Sequence, residues 1–387
     1  MTQSIDPGIP LAFRCREGSE LSGLHAGQDG ADTITVEARQ MTGHQKEALV
    51  TEGRSGASWR LPSDEGVHLN GTDLAPFPLG FFNAGLQGDL FQRIRQVFHE
   101  QDQTLPDLSI ELVNHYWLTG SFALGTGKGH AEPTEIRIRV ESEAPASVVS
   151  TRVRQALDQS PAIDLLCSPI ENTFALYING RRRPVAGIPR SGASDAADPF
   201  LTYRSAPMPV GEPAPADVIA KPDRREANYP AAVPTGTPPR TIRNVHGRGL
   251  LAADSDLASI ESWLELPNAS HFVFKSASGT HSNAPSGLAL LSAGIAFCYM
   301  TQLARYIDTM KMAVKGVRLV QQSPYAIEAG KGHALPIDTH LFLNGDAPEP
   351  THLRLLQIAA HTCYLHATAA ARIAPVIEIF HNGAKID

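Results

Sequence analysis

The residues best suited to chemistry in this chain are two cysteines of its C-terminal half, Cys298 and Cys363. A cysteine reacts as its thiolate, so a reactive one needs a base, a positive charge or a helix N-terminus nearby. Cys363 is flanked by His361 and His366, and on a helix only His366, three residues away, shares its face. The pattern therefore predicts a thiol nucleophile with a histidine base. The alternative is a small buried cysteine that only fills space.

The other cysteines carry weaker signals. Cys298 lies in a stretch, 286–311, that is apolar on nearly every face, so a packing role is the simpler interpretation of Cys298 taken alone. Cys15 and Cys167 have no motif around them, and we expect them to be packing residues. No two cysteines form a CxxC pair, so neither a zinc site nor a disulfide scaffold is indicated, and we expect no metal and no cofactor.

A second group of candidates lies in the N-terminal half. Asp89 interrupts an otherwise apolar predicted helix, 79–100, and buried carboxylates are rare unless they are paired or functional. Asp89 is either a general acid or base, with His68 or Ser160 as its neighbour, or a partly exposed surface residue. Ser160 has no G-x-S-x-G context, which argues against a serine nucleophile, and we place it with Asp89 in a substrate pocket.

The chain contains an internal repeat. The sequence GKGHAEP at Gly127–Pro133 recurs as GKGHALP at Gly330–Pro336, 203 residues later. Because His130 and His333 occupy the same place in both copies, we expect them to shape the hairpins and not to bind a metal. Such a repeat predicts two copies of one structural unit.

The repeat also relates the two groups of candidates. The same offset brings the helix-like segment 149–157 onto 352–360, and it brings Ser160 onto Cys363. Ser160 therefore stands in the first copy where a cysteine stands in the second.

Both halves show the same predicted order of elements: early strands, a long apolar helix, two strands, a second helix and a closing strand. This order is typical of an α+β fold. The predicted strands and long helices are Thr33–Ala38, Leu79–Glu100, Leu108–Trp117, Thr134–Val140, Ala175–Asn179, His271–Phe274, Ser286–Lys311, Val314–Gln321, Ile337–Leu343 and Val376–Phe380.

Length and proline content suggest where the halves meet. A chain of 387 residues is long enough for two domains. Nine prolines lie between Ala206 and Arg240, a density that neither a helix nor a sheet interior sustains. We therefore predict one domain at 1–190, a Pro/Ala-rich linker at 191–240 and a second domain at 241–387.

Composition limits the class of function. A net charge of −7 leaves no electrostatic footprint for nucleic acid. The N-terminus lacks the pattern of a signal peptide, and no uninterrupted apolar run reaches about 18 residues, so we expect no membrane span. We expect a cytoplasmic protein whose partners are small molecules, present as a monomer or a homodimer.

The candidate residues and their order resemble the OsmC/Ohr family of thiol peroxidases. In the N-terminal half Gly71–Pro78 is similar to the family's lead-in G-T-x-x-x-P-x-E, and Ser160-Pro161 replaces a Cys-Pro motif. In the C-terminal half Leu290–Cys298 resembles the first-cysteine helix, and Cys363–His366 resembles the second-cysteine motif with tyrosine in place of proline.

This resemblance implies a particular architecture. Two OsmC-like domains in tandem would form an intramolecular pseudo-dimer, each with a long buried central helix against antiparallel sheet. The first domain would lack the cysteine pair, because Asp89 and Ser160 stand at its two positions.

The resemblance also implies an activity and its residues. Cys298 would attack an organic hydroperoxide, Cys363 would resolve the product as a disulfide, and a dithiol would reduce it. The family's arginine would be Arg248, and His281 would line the pocket that leads to Cys298. The family's glutamate falls on Leu79 in the first half and near Gly287 or Leu288 in the second, and none of these residues can accept a proton.

Two other functions remain open at this stage. A hydrolase or acyl-transfer enzyme on the same scaffold would use a cysteine nucleophile with His366 or His361 as base. A non-catalytic protein would bind a small apolar molecule in the same pocket and would show ordinary, slowly reacting cysteines.

Overall fold

A computed structural model of the chain describes residues 3–15, 31–100, 106–211, 217–222, 241–266, 269–279 and 282–386. His281, one of the predicted pocket residues, lies outside the described residues. The proline-rich segment 206–240 is described only at 206–211 and 217–222.

The described residues form an α+β protein with two sheets. The helices are α1 (Pro78–His99), α2 (Ala146–Asp158), α3 (Pro161–Cys167), α4 (Gly287–Thr309), α5 (Glu349–Thr362) and α6 (Tyr364–Ala370). The strands are β1 (Phe13–Arg14), β2 (Asp32–Gln40), β3 (Lys46–Glu52), β4 (Ser58–Ser63), β5 (Asp107–Thr119), β6 (Lys128–Ala131), β7 (Glu135–Glu141), β8 (Asn172–Ile178), β9 (Arg181–Arg183), β10 (Ile219–Ala220), β11 (Thr241–Leu251), β12 (Ala258–Leu264), β13 (His271–Ser276), β14 (Val314–Glu328), β15 (Lys331–Ala334), β16 (Ile337–Gly345), β17 (Val376–His381) and β18 (Ala384–Lys385).

The two sheets repeat one strand order. The first runs β1-β4-β3-β2-β14-β16-β8-β9, with β15 paired to β14. The second runs β10-β13-β12-β11-β5-β7-β17-β18, with β6 paired to β5. In both sheets one pair is parallel, β16 with β8 and β7 with β17, and the other pairs are antiparallel.

Each sheet combines strands from both halves of the chain. The early strand β2 pairs with β14 of the C-terminal half, so that Glu37 lies opposite Val320. The corresponding strand β11 pairs with β5 of the N-terminal half, so that Asn114 lies opposite Val245. The two halves are therefore intertwined, and each supplies the early strands of the sheet that the other half completes.

Alternating burial explains why these segments form strands with one face inward. In β5, Leu108, Ile110 and Leu112 are buried while the residues between them are at least partly exposed, which is the period of two expected of a half-buried strand. The inward faces pack on the long helices: α4 lies on β2, β3 and β14, and α1 lies on β5, β11, β12 and β13.

The helices α1 and α4 lie between the sheets and pack closely against each other. A Cβ atom added to Gly85 would lie 2.4 Å from the backbone nitrogen of Leu291, and one added to Gly287 would lie 2.1 Å from that of Asp89. Only glycine permits this approach. The result is one continuous core around the two helices.

The helix α4 is long and apolar enough, by length and composition, to cross a membrane. Its most apolar 18-residue window has a mean hydropathy of 1.5 and is entirely buried inside the protein. Its apolar character thus matches a position in the protein core, between α1 and the first sheet.

The described structure refines several predicted elements. Both long helices and the predicted strands are present, with ends that shift by a few residues. The GKGHA segments, expected as hairpin turns, instead contain the short strands β6 and β15, which fold back on β5 and β14. The second helix of each half is broken in two, at Ser160 between α2 and α3 and at Cys363 between α5 and α6.

The first part of the predicted linker packs on the first sheet. Asp198 forms an ion pair with Arg318 of β14 at 2.5 Å, and the Tyr203 hydroxyl donates to the Glu37 carbonyl at 2.9 Å. Ser191 donates to Asp338 of β16 at 2.9 Å. Residues 191–203 therefore form a strap across this sheet.

Candidate functional site

The two predicted reactive cysteines meet in the core. Cys298 lies on α4 and is 2% exposed, and Cys363 lies at the junction of α5 and α6 and is fully buried. Cys298 acts on the ionisation of Cys363 as a neighbouring group, and both cysteines are free thiols. This pair is the centre of the candidate site.

The position of Cys363 follows from the break between α5 and α6. Its backbone is extended, with φ −68° and ψ 116°, so α5 ends before it and α6 begins after it. Cys363 is the N-cap residue of α6 without a capping bond from its side chain, and the backbone amides of Leu365 and His366 lower the pKa of its thiol. These dipoles favour the thiolate, although they act less strongly on Cys363 than burial does.

The GKGHA repeat accounts for the packing around this junction. A Cβ atom added to Gly129 of β6 would lie 2.7 Å from the carbonyl oxygen of Thr362. In the other copy, a Cβ atom added to Gly332 of β15 would lie 2.5 Å from the nitrogen of Pro161. The repeated glycine thus lets a short strand of one half pack directly on the helix break of the other half.

A buried ion pair from the N-terminal half lies beside Cys298. The ammonium group of Lys46 on β3 is 3.7 Å from the Glu65 carboxylate, and both side chains are nearly fully buried. Lys46 also donates to the carbonyl of His44 at 2.9 Å, and the Thr301 hydroxyl of α4 donates to Glu65. Burial lowers the pKa of Lys46, and the charges of Glu65, Asp64 and Cys298 oppose that shift. Lys46 is therefore a cation that a Cys298 thiolate would stabilise.

The thiol pair is electrostatically asymmetric. Burial, followed by the adjacent Cys298, raises the pKa of Cys363 well above its ordinary value. Cys363 therefore keeps its proton beside Cys298.

Two further side chains complete the surroundings of the thiols. Burial raises the pKa of Tyr116 well above its ordinary range, and the two cysteines add to the shift. Among the described residues the Tyr116 hydroxyl has no hydrogen-bond partner, and its ring lies 5.6 Å from that of Tyr364. It is therefore a free donor next to the sulfurs.

Arg243, not Arg248, is the arginine that β11 brings to this region. Burial lowers the pKa of Arg243, and Tyr364, Arg305 and Glu65 are the charges that act on it. Arg248 is exposed, and because it is five residues further along the strand it faces the opposite side of the sheet. The expectation that Arg248 serves the cysteines is not supported by its position.

The imidazole of His366 packs against two aromatic rings. Its ring centroid is 5.4 Å from that of Phe174 and 5.1 Å from that of Tyr299, and burial lowers its pKa to about 3. The predicted shared helix face does not exist, because the helix breaks at Cys363. His361 is exposed on the last turn of α5. The structure therefore brings neither histidine to a cysteine as a base.

Asp89 and Ser160 meet in the other half at the positions equivalent to the cysteines. The Ser160 hydroxyl donates to Asp89 at 2.5 Å, and the Ala162 amide and Arg93 reach the same carboxylate at 3.4 and 3.3 Å. Ser160 also accepts from the Ile163 amide at 3.1 Å, which caps α3. Asp89 is fully buried, so it is not a surface residue.

His68 is not the neighbour of Asp89. Burial lowers its pKa, and the charges that act on it are those of Arg243, Glu65, Arg305 and Asp73. It lies among the charges around Glu65 and Arg243. Among the described residues, no group of three or more His, Cys, Asp or Glu is arranged to hold a metal ion.

Lys46, Glu65, Tyr116 and Arg243 were not found from the sequence. By the family resemblance, the position of the family's glutamate falls on Leu79 in the first half and near Gly287 or Leu288 in the second, and none of these residues carries a carboxylate. Glu65 of the N-terminal half instead contacts Thr301 on α4, the helix of Cys298, and Lys46 and Tyr116 of the same half act on the cysteines. The internal repeat was the signal that could have indicated such crossing, since duplicated units can exchange strands.

Comparison with known proteins gives little further information. No protein-family model and no curated protein matches the chain. One solved structure, an OsmC-like hydroperoxide resistance protein from Jannaschia sp. CCS1, is 18% identical over 33% of this chain and 85% of its own, with a TM-score of 0.20. A TM-score this low does not establish a shared fold.

Proposed function

We propose that this chain is a thiol-dependent peroxidase of the OsmC type that reduces organic hydroperoxides through Cys298 and Cys363. The observation that carries the proposal is that two buried free thiols, from α4 and from the α5–α6 junction, act on each other as neighbouring groups. Neighbouring cysteines can form a disulfide when their Cα atoms lie within about 7 Å.

In the proposed reaction the Cys298 thiolate attacks the terminal oxygen of R–O–OH. The O–O bond breaks, Cys298 becomes a sulfenic acid, and the alkoxide takes a proton and leaves as an alcohol. The Cys363 thiol then attacks the sulfenic sulfur, the S–O bond breaks, and water and a disulfide form. A dithiol reductant returns both cysteines to thiols.

The asymmetry of the pair supports this order of roles. Cys363 keeps its proton because of burial and because of Cys298, whereas Cys298 has the Lys46 charge beside it. Lys46 would stabilise the thiolate, and Glu65 and Thr301 would hold Lys46 in place through their contacts. Tyr116 would donate a proton or a hydrogen bond to the departing oxygen.

The same geometry weakens the hydrolase alternative. That reaction needs a base next to the attacking sulfur, and the His366 imidazole contacts Phe174 and Tyr299 instead. An organic substrate is favoured by the aromatic rings near the thiols, those of Tyr116, Tyr299 and Tyr364.

We further propose that the chain is a tandem duplication that folds as an intramolecular pseudo-dimer. The identical strand order of the two sheets supports this, as does the equivalence of Asp89 and Ser160 with Cys298 and Cys363. One copy would then hold the reactive site, and the other would hold its non-thiol counterpart.

Mass spectrometry of the reduced protein after one equivalent of cumene hydroperoxide tests the proposed function. We expect a Cys298–Cys363 disulfide, which peptide mapping identifies and dithiothreitol reverses, together with release of the corresponding alcohol. Protein blocked beforehand with N-ethylmaleimide is the control. Two unmodified thiols after excess hydroperoxide would contradict the proposal.

A further inference from the structure

A pocket borders α6, and neither cysteine is among the residues that line it. It is a cavity of about 560 Å³ formed between the start of β8, the loop at Gly187–Pro189 and the helices α5 and α6. Its walls are mainly apolar, with Ile170, Phe174 and Ile188 among them, and the exposed residues Glu171 and His361 lie at its rim. A cavity of this size accommodates a small organic molecule.

Two polar groups in this pocket lack partners. His366 is 4% exposed, and among the described residues neither of its ring nitrogens has a hydrogen-bond partner. The Asn172 amide donates to the His366 carbonyl at 3.2 Å, whereas the Asn172 side-chain oxygen has no partner there. Leaving such groups unsatisfied costs about 1–3 kcal/mol each, so they are seldom kept without a reason.

The fold itself does not require a histidine at this position. The helices α3 and α6 are equivalent and each has seven residues, and Ile163 occupies in α3 the place that His366 occupies in α6. Ile163 is buried and packs in the continuous core of the protein. An apolar side chain thus occupies the equivalent position in the other half. Of these two positions, only the one in this pocket carries an imidazole.

The two unpartnered groups define the ligand. Burial keeps the pKa of His366 at about 3, so the imidazole is neutral and offers one donor and one acceptor. The Asn172 oxygen only accepts. A ligand that satisfies both must carry a group that donates and accepts, and its remaining surface must be apolar to match the walls. A carboxylate fits poorly, because no Lys or Arg is among the described residues that line the pocket and the Asn172 oxygen would repel it.

We propose that this pocket is a second binding site, which holds a small neutral apolar molecule through one hydroxyl or primary amide group bonded to His366 and Asn172. The pocket is distinct from the thiol pair, because neither Cys298 nor Cys363 is among the residues that line it. It therefore stands whether or not the chain reduces hydroperoxides.

Calorimetric titration of the reduced full-length protein with p-cresol tests the site, with p-xylene as the matched probe that lacks the hydroxyl. We expect saturable binding of p-cresol and binding of p-xylene that is weaker by about tenfold or more, as expected for a lost pair of buried hydrogen bonds. The variant His366→Ile reproduces the residue of the other copy and should weaken p-cresol binding to the same extent without loss of folding. Lys315→Met, at an exposed lysine of β14 outside the pocket, should change it by less than about twofold.

Several outcomes would overturn this proposal. Equal affinity for p-cresol and p-xylene would show that the polar groups do not select the ligand. Undiminished p-cresol binding by folded His366→Ile would locate the binding elsewhere, and the absence of saturable p-cresol binding would remove the proposed ligand class. Nuclear magnetic resonance shifts of the His366 ring protons on titration would support direct contact, and unchanged shifts during saturable binding would count against it.

Discussion

The Ser160 hydroxyl donates a 2.5 Å hydrogen bond to the fully buried carboxylate of Asp89. These two residues stand in the N-terminal half where Cys298 and Cys363 stand in the C-terminal half, on the equivalent helix and at the equivalent helix break. The same geometry thus holds a carboxylate with a hydroxyl in one copy and two thiols in the other.

We predict that cysteines at the Asp89 and Ser160 positions will form a disulfide. The double variant Asp89→Cys/Ser160→Cys, made together with Cys298→Ser/Cys363→Ser, places two thiols where a hydrogen bond already joins the side chains. Diamide oxidation followed by peptide mapping should detect the new disulfide. Persistence of two free thiols in the folded protein would contradict the equivalence of the two sites.

The same variant should not regain hydroperoxide turnover. The strand β12, equivalent to β3, begins with Ala258 where β3 begins with Lys46, so the new thiols would lack a buried cation at that position. We expect consumption of cumene hydroperoxide at less than about a hundredth of the rate of the native pair. A comparable rate would show that two adjacent thiols suffice and that Lys46 has no role.

We predict that Lys46 promotes ionisation of Cys298. Removing only the lysine would leave Glu65 buried and unpaired, at a cost of about 3–5 kcal/mol, so the informative variant is Lys46→Met/Glu65→Gln. In a Cys363→Ser background, alkylation of Cys298 should slow by about tenfold at pH 7 and should recover at higher pH. Peptide-resolved mass spectrometry measures this rate over a range of pH.

The matched control for this variant is Lys315→Met, which removes an exposed lysine from β14. Its alkylation profile should coincide with that of the parent. If Cys298 is alkylated in both variants at the rate seen in the parent, the Lys46 charge does not affect the ionisation of the Cys298 thiol.

Much of the local structure could be predicted from the sequence because it depends on neighbouring residues. The helix α1 begins with Pro78 at a position where its missing amide proton costs nothing, and α4 begins after the capping side chain of Ser286. The alternation in β5 likewise requires no distant partner. These signals predicted the α+β class and the order of elements.

The site was less predictable because it depends on which strands pair. Lys46 and Glu65 resemble ordinary surface charges in the sequence, and only the pairing of β2 with β14 brings them over α4 of the other half. Arg243 and Arg248 lie on the same strand, and which of them faces inward depends on the face that packs on α1. No local pattern distinguishes them.

We predict that Gly129→Ala will damage the cysteine site from a distance. The added methyl carbon would lie 2.7 Å from the backbone oxygen of Thr362, next to Cys363, so the α5–α6 junction must shift. We expect a loss of about 1–3 kcal/mol in the free energy of unfolding and slower disulfide formation. Urea titration and timed acid-quenched alkylation measure the two effects.

Gly192→Ala is the control for this substitution, because nothing lies within 4 Å of its added Cβ atom and its φ is not positive. It should leave the free energy of unfolding within about 0.5 kcal/mol of the parent's, and the rate of disulfide formation within about twofold. Equal behaviour of the two variants would mean that β6 does not fix the junction.

We predict that His366 makes the fold sensitive to acid. Its pKa falls from 6.5 to about 3 on folding, so the unfolded chain takes up the proton first as the pH drops. The resulting stability loss begins near the unfolded value and grows until the pH reaches the folded value, whereas above pH 6.5 both states are neutral. Between pH 7.5 and pH 5 the loss due to this one residue should be about 2 kcal/mol.

In His366→Ile this loss should be absent, while the pKa shifts of His44 and His68, also caused by burial, contribute equally to both proteins. Urea unfolding at the two pH values gives the loss of free energy of unfolding for the parent and for the variant. The difference between these two losses is the contribution of His366. A value near zero would show that the His366 ring takes up a proton in the folded protein as readily as in the unfolded chain.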